Sequence, residues 1–134
     1  MKRQTSGTFE VKLSPQAAEE GVGDPTVARM GLHKQFHGDL QAIARGQMLA
    51  TMTDVEGSAG YVALDRVTGS LHGRNGSFSL QHSGTMNRGS PQLSISIVPD
   101  SGTGDLTGIT GTLGIRIEQG QHFYDLEYEL PGTD

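Results

Sequence analysis

The chain has 134 residues, 15 acidic and 10 basic, with a formal net charge of −5 and no Cys. Leu, Val, Ile and Phe account for 29 of the 134 residues, just above the roughly 20% below which disorder is expected. The acidic balance argues against a nucleic-acid or anionic-membrane partner, because both require a basic surface. The lack of Cys excludes disulfides, zinc fingers and thiol catalysis, and it fits a cytoplasmic location.

The start of the chain indicates no targeting segment. Lys2 and Arg3 are basic, but the apolar stretch that a signal peptide needs does not follow them. No run of apolar residues is long enough for a membrane helix. Because the composition does not shift along the chain, we expect a single domain over residues 1–134.

Apolar residues recur at every second position, which is typical of half-buried β-strands. The runs Phe78 to His82 and Leu93 to Ile97 show this alternation, and Gly-containing turns separate such runs. Pro15 to Glu20 is the only candidate for a helical turn. The pattern predicts eight strands, at about 6–14, 27–37, 40–54, 59–72, 76–86, 92–99, 110–118 and 121–130.

Eight antiparallel strands in meander order, without a helix to cover a sheet face, form either a closed barrel or a two-sheet sandwich. Closure removes exposed strand edges, and these strands have few prolines to protect an edge. We therefore predict an all-β fold, a closed eight-stranded antiparallel up-and-down barrel with little or no helix. Such a barrel is either filled by its own side chains or holds one small ligand.

Two hairpins are tight enough for their register to be predicted, since a one-residue slip would scatter the apolar residues over both faces. A turn at Arg74-Asn75 pairs Leu71 with Phe78, Val67 with His82 and Asp65 with Gly84. A turn at Gln119-Gly120 pairs Ile117 with His122, Ile115 with Tyr124 and Leu113 with Leu126. In both hairpins the apolar residues share one face.

The same alternation turns several polar side chains towards the barrel interior. Asp65 and His82 are diagonal neighbours across two strands and are the candidate catalytic residues. The candidate ligand-binding residues share their face: Lys34, Tyr61, Phe78, Tyr124 and Tyr128. In one interpretation Asp65 and His82 are an acid–base pair at a cavity wall, with Lys34 or a tyrosine donating to a ligand oxygen. In the other, Asp65, His82 and Lys34 form a buried structural network without a substrate.

Other motifs point away from common chemistries. His33 and His37 lie roughly 13 Å apart on a strand, too far to share a metal ion, and we expect no metal site. The Gly-rich segment 102–108 lacks the lysine of a phosphate-binding loop. It is either a lid over the barrel mouth or a plain connection. No nucleophile elbow of a serine hydrolase is present.

Three apolar residues are expected on the outer face of the barrel, namely Val62, Leu64 and Phe123. Exposed apolar groups of this kind favour a contact between copies of the chain. We expect a homo-oligomer, most simply a dimer. Ordinary surface hydrophobic residues are the alternative.

Four segments resemble one family: 57–69, 76–89, 98–104 and 121–124. They are similar to an uncharacterised bacterial family, domain of unknown function 3224. The resemblance implies an eight-stranded barrel similar to allene oxide cyclase. Its wider relatives include isomerases and cyclases that fold a lipophilic substrate inside the barrel without a cofactor. The resemblance to this family implies no particular activity, because the family has no settled one.

Three functions remain open. The first is a cofactor-free isomerase or cyclase that acts on a small lipophilic molecule through Asp65 and His82. The second is a non-catalytic carrier of the same class of ligand. The third is a filled barrel that acts through its outer surface as an oligomerising or interaction protein. No cofactor is expected for any of them.

Overall fold

The computed structural model describes residues 2–132, which form nine β-strands and no helix. The strand bounds are β1 Arg3–Gln16, β2 Val27–Gly38, β3 Leu40–Met52, β4 Ala59–Leu71, β5 Arg74–Asn87, β6 Ser90–Ile97, β7 Thr103–Gly104, β8 Thr110–Glu118 and β9 Gln121–Glu129. The eight predicted strands are all present. The helical turn expected over Pro15 to Glu20 is wrong, because β1 continues as a strand to Gln16.

Eight of the strands close into a barrel, as predicted. Each pairs antiparallel with its neighbours, β1 pairs with β9, and β4 pairs with β5, so the sheet closes on itself. The short β7, which the alternation did not predict, lies outside this ring and pairs with Gly76 and Ser77 of β5. Closure satisfies the backbone groups that an open sheet would expose at its edges.

The turn predicted for the β4–β5 hairpin is wrong by two residues, so every pairing partner across β4 and β5 is shifted by four. The turn lies at His72-Gly73, where φ is 48° and 79°, the positive pair that a type I′ turn requires. Leu71 therefore pairs with Arg74 rather than Phe78. Because the shift is even, every side chain keeps its predicted face. The β8–β9 hairpin has the predicted register, with its turn at Gln119-Gly120.

Asn75-Gly76, whose sequence is typical of a turn, lies inside β5 instead. Gly76 faces Gly69 of β4 and lies against the backbone of β7. A Cβ at Gly76 would collide with the Thr103 carbonyl oxygen. Glycine is needed here for the close approach of β7 and not for a positive φ.

One end of the barrel is filled by large apolar side chains. The fully buried ones include Phe36, Leu40, Leu71, Phe78, Leu106, Ile109, Tyr124 and Tyr128. Leu106 and Ile109 come from the segment that follows β7. The chain at the Gly-rich loop therefore closes this end of the barrel. It is neither a lid over the mouth nor a plain connection. We call this the packed end.

Tyr124 holds the β2–β3 turn at the packed end. Its hydroxyl donates to the His37 carbonyl oxygen at 3.0 Å and accepts from the Leu40 amide at 3.3 Å. Gly7 and Gly38 leave room for the ring, since a Cβ at either would come within 3.0 Å of the Tyr124 hydroxyl. Burial raises the pKa of this hydroxyl, so it stays a donor.

Candidate functional site

The other end of the barrel contains a cavity of about 510 Å³. Its lining is largely apolar and includes Val11, Leu32, Met48, Ala63, Met86 and Ile115. The cavity exists because the inward positions here carry small residues. Ala50, Ala59 and Ala63 line it, and Gly84 leaves space that the ring of Tyr61 occupies. We call this the open end.

A buried ionic cluster forms the floor of the open-end cavity. The Lys34 Nζ lies 2.9 Å from Asp65 Oδ2, and the His82 Nε2 lies 3.2 Å from Asp65 Oδ1. The contact between the Lys34 ammonium and the Asp65 carboxylate is a buried ion pair. Lys34 and His82 line the cavity, and Asp65 lies behind them. All three are buried, with at most 6% of each residue exposed.

The cluster forms because the strand between Lys34 and Asp65 carries small residues. Lys34 of β2 pairs with Ala44 of β3, and Asp65 of β4 pairs with Gly46 of β3. A Cβ at Gly46 would lie 1.9 Å from the Leu64 carbonyl oxygen and 2.6 Å from the Cβ of Asp65, so a larger residue would push β4 away at Asp65 and displace its carboxylate. The long lysine side chain therefore crosses β3 to reach the carboxylate. His82 pairs with Ala63 and is the diagonal neighbour of Asp65, as predicted.

Asp65 is held in its charged form despite its burial. Desolvation alone would raise the pKa of the carboxyl, but the hydrogen bond from His82 and the charge of Lys34 outweigh it and leave the pKa below its ordinary value. An ionised carboxylate only accepts hydrogen bonds. His82 must therefore donate through Nε2–H, and in the neutral imidazole Nδ1 carries the lone pair. No hydrogen bond reaches this Nδ1 from any residue between 2 and 132.

Tyr61 adds a phenol to the wall of the cavity. Burial raises the pKa of the Tyr61 hydroxyl, and the nearby charge of Asp65 raises it further. The hydroxyl therefore keeps its proton at neutral pH. It is a second donor, after the Lys34 ammonium, that a ligand oxygen in the cavity could use.

The structure brings together four of the seven predicted site residues. Lys34, Tyr61 and His82 line the cavity, and Asp65 joins Lys34 to His82. The other three, Phe78, Tyr124 and Tyr128, lie in the packed end and outside the cavity lining. Their inward direction was predicted correctly, but alternation does not distinguish the two ends of a barrel. The Tyr128 hydroxyl contacts the His72 ring instead.

Sequence reasoning missed two residues that shape the site, one that lines the cavity and one that makes room for the ionic cluster. His122 lines the cavity and packs against Phe9 with ring centroids 5.2 Å apart. Its inward position follows from the β8–β9 register, which was available from the sequence. Gly46, which makes room for the cluster, left no such signal, because its effect depends on strands that are not adjacent in the ring.

The outer face carries the exposed apolar residues that were expected from β4. Val62 and Leu64 are 52% and 56% exposed. With Leu49 they border a groove of about 1210 Å³, which the β1–β2 connection also lines. Phe123 is partly covered, since the Arg116 guanidinium lies 5.2 Å from its ring centroid.

Neither a metal centre nor a membrane-spanning helix is found between residues 2 and 132. No three side chains of His, Cys, Asp or Glu converge there in a way that could hold a metal ion. The same residues include no helix that is long and apolar enough to cross a membrane.

Comparison with known proteins places this barrel among uncharacterised relatives. A crystal structure of a protein of unknown function from the DUF3224 family of Shewanella oneidensis MR-1 is 47% identical, with a TM-score of 0.91 over 99% of this chain and 100% of that one. No curated protein matches. The family model for DUF3224, a protein family of unknown function, matches residues 5–128. The chain belongs to the DUF3224 family.

Proposed function

We propose that this protein binds a small lipophilic carbonyl compound in the open-end cavity and isomerises it by proton transfer, without a cofactor. The observation that carries the proposal is the position of the cluster. Lys34 and His82 line an otherwise largely apolar cavity, and a single carboxylate behind the wall holds both of them. Convergent polar groups in an apolar pocket are typical of ligand sites.

The charge of the cluster favours a neutral ligand. Lys34 and Asp65 cancel each other's formal charge, so with a neutral imidazole the floor of the cavity carries no net charge. A carboxylate ligand would bring an uncompensated negative charge into an apolar space, which is costly. A carbonyl oxygen accepts hydrogen bonds without that cost. The ligand class is therefore a ketone, aldehyde or ester with an apolar body.

The cluster has the groups that proton transfer next to a carbonyl requires. The Lys34 ammonium would donate to the carbonyl oxygen and stabilise the negative charge that develops there. His82 Nδ1 would remove a proton from the adjacent carbon and return it to another carbon. Asp65 would orient the imidazole through Nε2–H and stabilise its protonated form, as carboxylates do in catalytic triads.

Deuterium exchange tests this proposal without knowledge of the natural substrate. We expect 2-decanone in D₂O to exchange its hydrogens next to the carbonyl faster with the protein than in buffer. His82→Gln should lose this acceleration, while its amide chemical shifts still respond to 2-decanone. An exchange rate equal to that of buffer for the wild-type protein would exclude proton transfer on this probe.

The carrier function is distinguished in the same experiment. Amide shifts around Lys34, Tyr61 and His82 without any exchange would leave binding as the function. Ala50→Phe is the matched control, because Ala50 lines the cavity and is only partly buried. A phenyl ring there should occupy the cavity and remove the response to 2-decanone. No response in either protein would contradict ligand binding.

The homodimer and the cytoplasmic location stay predictions. Leu64 is the most suitable residue for testing the dimer, since more than half of it is exposed on the outer face. Leu64→Glu should shift the sedimentation coefficient of a dimer to that of a monomer. A wild-type protein that sediments as a monomer at high concentration would contradict the dimer.

A further inference from the structure

Lys34 differs from the other lysines of the chain. The sequence contains three, Lys2, Lys12 and Lys34. Lys2 and Lys12 are exposed, whereas only 7% of the Lys34 side chain is exposed. Lys34 is thus the buried lysine, and its ammonium lies at the floor of an apolar cavity.

The Lys34 ammonium has donors to spare. It carries three N–H groups, and Asp65 is the one partner that the described residues provide. Because Lys34 lines the cavity, the rest of the ammonium is within reach of a molecule bound there. A lysine is also the residue type that condenses with carbonyl compounds to form Schiff bases.

We propose that Lys34 condenses with a lipophilic aldehyde in the open-end cavity to form a protonated imine, with Asp65 as its counterion. The inference rests on the proposed binding of carbonyl compounds and adds a covalent step. It names aliphatic aldehydes as the ligand class and Lys34 as the residue that is modified.

The condensation balances within the site. The ammonium first gives a proton to His82 Nδ1, and the Lys34 Nζ then adds to the aldehyde carbon, forming a C–N bond as the C=O π bond breaks. The oxygen takes up the proton from His82 and a proton from the nitrogen, and it leaves as water. The imine nitrogen retains one hydrogen and the positive charge.

The electrostatics of the buried cluster favour this product. The ammonium and the protonated imine carry the same charge, so Asp65 remains paired throughout and no net charge enters or leaves the apolar interior. A non-covalent carboxylate would change the charge of the site, and a neutral imine would remove the positive charge that Lys34 supplies to Asp65. The protonated imine avoids both.

Reductive trapping tests the inference. The folded protein would be treated with decanal and sodium cyanoborohydride, which converts an imine to a stable secondary amine. Peptide mass spectrometry would then compare the three lysines. We expect Lys34 to be labelled at least about tenfold faster than Lys12, because the cavity holds the aldehyde beside the amine. Equal labelling, or labelling confined to Lys2 and Lys12, would overturn the inference.

Two controls separate this inference from the proposed binding. Lys34→Arg keeps the ion pair with Asp65 but cannot form an imine, so the label at position 34 should vanish and that at Lys12 should persist. Excess decan-1-ol occupies the cavity without reacting, and it should protect Lys34 and not Lys12 in the wild-type protein. If decan-1-ol shifts the cavity amides but decanal does not label Lys34, the imine is excluded and binding stands. If decan-1-ol shifts no amides, binding fails as well.

Discussion

The two ends of the barrel interior have the same alternating sequence pattern and different contents. At the packed end, Phe36, Phe78 and Leu71 are at most 1% exposed. At the open end, Met52 and Ile117 point towards the cavity yet are 77% and 64% exposed. The alternation of side chains along each strand determines which residues face inward. Their size, and the closure of one end by Leu106 and Ile109, determine whether the interior is filled.

The ionic cluster lies where the two ends meet, and this position explains its composition. Towards the packed end its strand neighbours are Phe36, Val67 and Leu80, which exclude water. Towards the open end they are Leu32, Ala63 and Gly84, which leave space. A cluster buried on one side and facing a cavity on the other can be both paired and accessible to a ligand.

Breaking the cluster should have the largest effect on stability. Asp65→Asn leaves the Lys34 ammonium buried without a counterion, and we expect a loss of about 3–5 kcal/mol in the free energy of unfolding. The matched control is Asp125→Asn, which breaks the exposed 2.8 Å pair with Arg116 and should cost far less. Urea denaturation measures both. Equal losses would show that Lys34 and Asp65 are not paired in an apolar environment.

A pair of matched leucine truncations should sharpen the contrast between the ends. Leu71→Ala at the packed end should cost about 2–5 kcal/mol, because it leaves a cavity among well-packed side chains. Leu93→Ala at the cavity rim, where Leu93 is 44% exposed, should change stability by about 0.5 kcal/mol or less. Denaturant midpoints of the two variants provide the comparison. Similar losses would mean that the open end is packed as well.

The pH dependence of stability should show the smallest effect. The pKa of Asp65 is lower in the folded protein than its ordinary value of 3.8. The stability that it contributes is present above that value and is lost as the pH falls through the lower folded pKa. Asp65→Asn should therefore flatten the decline of stability below about pH 4. Parallel curves for the two proteins from pH 6 to the acid limit would contradict the lowered pKa.

Much of the fold and part of the site could be predicted from residue spacing. Alternation is local, so it identified the strands, and it placed Asp65 and His82 on one face as neighbours across β4 and β5. The His72-Gly73 turn was missed because Asn75-Gly76, three residues later, has the same turn chemistry. Only packing against β7 decides between them.

The sequence by itself determined the strands, their inward faces and the closed barrel, because side-chain direction in a strand follows from backbone geometry alone. Only the tertiary structure decided which inward residues meet. Lys34 reaches Asp65 because the residues between them on β3, Ala44 and Gly46, are small. Tyr124 and Tyr128 lie outside the ligand site because Leu106 and Ile109 close their end of the barrel. Such contacts depend on the combined volume of side chains from several strands of the barrel. No single stretch of sequence contains that information.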